Sequence, residues 1–83
     1  MREHELKTWP EPFRALLEGR KHHEVRFNDR EFAVGDVLVL QEWSPEKGRY
    51  TGRELRRVVS YMTGGGHFGL PLDLCVMSLE LEP

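Results

Sequence analysis

Hydrophobic and polar positions alternate with period two across residues 22–27. His23, Val25 and Phe27 point to one side there, and His22, Glu24 and Arg26 to the other. That pattern predicts a strand with one polar face. Residues 4–9 predict an earlier, short strand. Pro10, Glu11 and Pro12 then open a helix, because proline lacks only an N–H that would be unpaired in the first turn, and Glu11 complements the positive end of the helix dipole. Phe13, Leu16 and Leu17 recur at helical spacing and form its apolar side, and Gly19 supplies the stop.

After the polar-faced strand, Asn28, Asp29 and Arg30 form a charged turn, and Phe32 and Val34 lead through Gly35 and Asp36 to a new strand. Residues 37–43 are apolar on both faces, which predicts a central strand. A turn cluster follows from Ser44 to Gly48. Residues 53–62, rich in valine and tyrosine, predict another strand, residues 64–71 a glycine-rich connection, and residues 74–81 the closing strand. The expected fold is α+β and mainly β, with about five strands and one short helix after the first. A small barrel is favoured over an open sheet because closure removes exposed strand edges.

Eighty-three residues fit one domain spanning 1–83, with one core. The 31 % of charged residues beside 39 % hydrophobic ones is the balance of a folded globular chain and not of a disordered tail. Cys75 is the single cysteine, which excludes an internal disulfide and a cysteine-based zinc site. It lies in an apolar run, so it is expected as a buried small hydrophobe. No apolar stretch follows the charged N-terminus and no window is long enough to span a membrane, so a cytoplasmic protein is expected.

A net charge of −2 argues against a strongly basic nucleic-acid clamp, yet Lys47, Arg49, Arg53, Arg56 and Arg57 cluster against Glu54 alone. This stretch is either an anion-binding face, also suited to a protein partner, or a solvated strand edge. Lys21, Glu24 and Arg26 form the densest group of ionisable residues. They suit either a structural ion network or, if they share a cleft, a ligand site. Arg26 carries the planar fork that grips phosphate or carbonyl oxygens. Trp43, Tyr61 and Phe68 are candidates for base stacking, Phe68 above all because of its glycine-rich loop. That loop lacks the lysine and hydroxyl residue of a phosphate-binding P-loop, and no cofactor is indicated. His22 and His23 face opposite sides of a strand, and no third ligand accompanies His22 and Glu24, so no metal site is expected.

The order Leu17-x-Gly19-Arg20-Lys21-x-x-Glu24-Val25-Arg26, then Asn28-Asp29-Arg30 and Val34-Gly35-Asp36-Val37-Leu38, resembles the signature of ASCH domains in the PUA-like superfamily. It is especially similar to a small stand-alone bacterial and phage subfamily. Glu42-Trp43, Tyr50-Thr51-Gly52-Arg53 and the glycine-rich stretch extend the resemblance over nearly the whole chain. The resemblance implies a pseudo-barrel with a cleft between helix and strands, and RNA or nucleotide-like ligands. Lys21, Glu24 and Arg26 are expected to form that cleft, with Arg53 and the glycine-rich loop carrying Phe68 at its rim. One branch of these domains consists of amidohydrolases acting on acetylcytidine, with a lysine, a threonine and a later glutamate. Lys21 matches that lysine, Glu24 stands where the threonine would be, and Glu54 and Glu80 are candidates for the later glutamate. As an enzyme, the chain would use Glu24 to activate water and Lys21 to stabilise the oxyanion.

Overall fold

The computed structural model describes residues 1–83. Its elements run β1 (Glu3–Thr8), α1 (Pro10–Leu17), β2 (His23–Phe27), β3 (Val37–Ser44), β4 (Arg49–Thr63) and β5 (Leu74–Leu81). All five strands form one sheet in the order β1-β3-β4-β5-β2. The β1–β3 pair is parallel and the other pairs are antiparallel. No helix is long and apolar enough to cross a membrane.

The core forms on the concave face. Alternation along β1 buries His4, Leu6 and Thr8, and Leu6 joins Leu38, Leu40, Val59, Met77 and Leu79 from the other strands and Leu16 from α1 in one cluster. The irregular segment between β2 and β3 closes one end. Phe32 enters the core there, although neither it nor Val34 belongs to a strand. Side-chain bonds at both ends of this segment take the place of a ladder. Asn28 accepts from the Phe32 N–H, and Asp36 accepts from the Ala33 N–H. His4 joins the same closure, 2.8 Å from Asp36 and edge-on to Phe32.

Two features depart from the pattern read along the chain. β4 begins at Arg49, four residues ahead of the expected start at Arg53. The added residues pair with Trp43 and Ser44 beyond an irregularity between Gln41 and Trp43, where Glu42 alone opposes Thr51, Gly52 and Arg53. Polar residues and a glycine at φ 94° hide that stretch from a reading based on apolar alternation. The second departure concerns closure. The sheet is a half-barrel whose edge strands, β1 and β2, do not pair.

Candidate functional site

The two unpaired edges are where the charged residues gather. The end of α1 sets their geometry. Gly19, at φ 77°, turns the chain in the left-handed conformation, with its N–H bonded to the Leu16 carbonyl and the Arg20 N–H to the Ala15 carbonyl. This is a Schellman closure. The Lys21 N–H also reaches the Ala15 carbonyl, so the residue that enters β2 is held against the helix end. Lys21 Nζ thereby comes to lie 2.9 Å from Glu24 Oε1.

On the other side, Arg26 Nε donates to Glu24 Oε2 at 2.7 Å. Glu24 and Arg26 are two apart on a strand and share its inward-leaning face, as period-two alternation requires. The Glu24 side chain is 6 % exposed, while Lys21 and Arg26 retain 20 % and 26 %. A buried carboxylate therefore carries a cation on each oxygen, and both cations keep a side towards solvent. The trio has a net charge of +1, held in a desolvated setting where charge-assisted bonds are short and strong.

These three side chains line one concave cleft of about 520 Å³, together with Lys7, Thr8 and Trp9 from the end of β1 and with His23, Val25 and Phe27 from β2. Trp9 and Phe27 are both more than half exposed. They supply apolar walls beside the cations. Local pattern marks neither as a site residue, because Trp9 is the residue capping α1 and Phe27 closes an apolar alternation. Only the approach of the two sheet edges brings them together.

The remaining candidates lie elsewhere. Arg53 is outside the cleft and grips Glu42 through Nε at 2.9 Å and Nη2 at 3.3 Å, with Thr51 Oγ1 donating to the same carboxylate at 2.8 Å. The Arg53 hydrogen bond, helped by Thr51 and opposed by burial, holds the Glu42 carboxyl below its usual range. Phe68 projects into solvent, 97 % exposed, from a loop that does not line the cleft. Trp43 and Tyr61 are not in its wall either. Glu54 is exposed on β4, and the exposed Glu80 shares with Lys21 a separate hollow of about 250 Å³. Two cations of the basic stretch are neutralised by carboxylates and a third is tied to backbone. Arg53 pairs with Glu42, Arg56 bridges Glu3 and Glu82, and Arg57 donates to the backbone carbonyls of Arg56 and Leu16.

A known family covers this whole architecture. The family described as "Domain of unknown function (DUF3850)" matches residues 3–79, from the first residue of β1 into β5. The chain belongs to the DUF3850 family. It is also similar to the "Uncharacterized 12.9 kDa protein in GpA 3'region" of Escherichia phage P2, with 38 % identity over 60 residues. That match covers 72 % of this chain and 53 % of the phage protein, so the chain spans about half the length of the curated relative. The DUF3850 match includes every cleft-lining residue, from Lys7 to Leu74.

Proposed function

We propose that this domain binds RNA or a nucleotide-like ligand in the cleft between β1 and β2, in the manner of an ASCH-type module. The observation that carries the reading is the convergence of Lys21, Glu24 and Arg26 in one concave pocket, with Trp9 and Phe27 beside them. Each part matches a piece of a nucleotide. The solvent-facing sides of Lys21 and Arg26 suit phosphate or carbonyl oxygens, and the aromatic walls suit a base, whose stacking contributes about 1 to 3 kcal/mol. Each Glu24 oxygen keeps a second lone pair, which can accept from the amino edge of cytosine or adenine.

Hydrolysis of an acetylcytidine-type amide draws less support. Both Glu24 oxygens are already engaged by cations, which suits a fixed recognition group better than one that must exchange a proton with water. Thr8, the one hydroxyl side chain in the cleft wall, is buried, and its oxygen faces the Leu6 carbonyl at 3.4 Å.

Calorimetric titration with cytidine monophosphate tests the binding reading. Lys21→Ala should weaken binding about 10-fold or more, as expected for loss of a hydrogen bond to a charged group. Uridine monophosphate, which lacks the amino edge, should bind more weakly than cytidine monophosphate. Equal affinity of the wild-type protein and Lys21→Ala would contradict the assignment.

A further inference from the structure

A second cavity opens at the β3–β4 hairpin, about 280 Å³ in volume and lined by Ser44, Lys47, Arg49, Tyr50 and Thr51. Its chemistry differs from that of the neighbouring basic residues. Arg53 and Arg56 are locked onto carboxylates, whereas Lys47 and Arg49 form no ion pair. Both are exposed. Two free cations beside hydroxyl groups in one hollow form a local positive site on a chain of net charge −2.

This hollow is connected to the cleft by a continuous row of side chains. Lys7 lines the cleft and lies 4.0 Å over the ring of Trp43. Trp43 packs edge-on against Tyr50, with ring centres 5.0 Å apart. Tyr50 is half exposed and forms part of the hairpin hollow. The register explains the row. Lys7 pairs with Gln41, and Trp43, two residues further along β3 on the same face, pairs with Tyr50. From β1 to β4 the row crosses two inter-strand spacings, roughly 10 Å. Lys7, Trp43 and Tyr50 thus join the cleft that holds Arg26 and Trp9 to the hollow that holds Arg49.

We propose that the hairpin hollow is a second phosphate subsite, and that the ligand of this domain is a single-stranded nucleic acid running from the cleft across Trp43 and Tyr50 to Lys47 and Arg49. The inference rests on the reading of the cleft as a nucleotide site. A single strand fits because its unpaired bases offer faces to the rings while its phosphates meet the cations. A mononucleotide would leave the Lys47 and Arg49 hollow unused.

The test is a fluorescence-anisotropy titration with end-labelled oligocytidylate of about six nucleotides, within the site sizes of about 4 to 16 nucleotides that small single-strand-binding domains use. It is run beside cytidine monophosphate and the deoxy form of the same oligomer. The wild-type protein should bind the oligomer at least about 10-fold more tightly than the mononucleotide. The double variant Lys47→Ala/Arg49→Ala should lose that advantage while holding the mononucleotide unchanged. Its plot of log affinity against log salt should flatten by about 1.4, or about 0.7 for each phosphate contact removed. A ribose-selective site binds the RNA oligomer better, and equal binding of both forms assigns the row to single strands of either kind. Equal affinity of the wild-type protein for oligomer and mononucleotide would overturn the extended site and leave the cleft reading standing, as would a double variant that retains the oligomer advantage. Absence of binding to all three probes overturns the cleft reading, and this one with it.

Discussion

Arg26 Nη2 donates to the backbone carbonyl of Lys7 at 2.8 Å, across the gap between the two edge strands of the sheet. One guanidinium therefore does two things. Its Nε fixes Glu24 and its Nη2 satisfies an acceptor on β1. Arg30 also reaches β1 further along, donating to the Glu5 carbonyl at 2.7 Å. Glu5 and Lys7 are two apart in β1, so their carbonyls point the same way. Side chains close the half-barrel where strand pairing does not, and the gap they bridge is the cleft.

Arg26→Ala removes both bonds and leaves Glu24 with a single cation. It should lower stability by about 2 kcal/mol, the scale of hydrogen bonds to charged groups at a partly exposed site. Arg26→Lys keeps the charge but not the fork that spans both partners, so it should restore only part of the loss. Urea denaturation measures this directly. A loss below about 0.5 kcal/mol for Arg26→Ala would show that the bridge does not hold the edges.

Acid should destabilise the fold through Asp36. Burial pushes its carboxyl up, but the His4 hydrogen bond and the N–H groups of Arg2 and Ala33 outweigh it and leave the group below its ordinary 3.8. The folded state then binds fewer protons than the unfolded one in this range, so stability rises with pH. The contribution is complete above about pH 4 and is lost as pH falls through the depressed folded value. Urea midpoints between about pH 2 and 5 should show this slope, and Asp36→Asn should flatten it. Hydrogen bonds from Arg56 also hold the Glu3 and Glu82 carboxyls low, but these pairs are at the surface. Their share should fade in high salt while that of Asp36 persists.

Cys75 is fully buried between β2 and β4, and burial pushes its thiol up. A thiol reagent needs exposed thiolate. Modification of the native protein should be slow and should accelerate with urea in step with global unfolding. Rapid, stoichiometric labelling in water would show that β5 opens locally.

Much of this was legible in the sequence. The alternation of residues 22–27 placed Glu24 and Arg26 on one face, and Gly19 marked the turn that delivers Lys21 to them. The closing strand at 74–81 and the short helix also followed from local pattern. What local pattern does not contain is the approach of β1 to β2, which are at opposite ends of the sheet order. Trp9 and Phe27 become cleft walls only through that approach. Charge and position in the motif point Arg53 to the rim. The irregularity opposite Glu42 turns it instead into a structural pair with that carboxylate. The glycine-rich loop makes Phe68 a stacking candidate by local pattern, but that loop does not line the cleft.

If the space between the two edges is the ligand site, two-dimensional amide NMR during titration with cytidine monophosphate should show shifts concentrated at Lys7, Thr8 and Trp9 and across Lys21 to Phe27, saturating together and at about 10-fold or more higher concentration in Lys21→Ala. Saturable shifts confined to the Phe68 loop or to the outer face of β4, with the cleft amides unmoved, would contradict it.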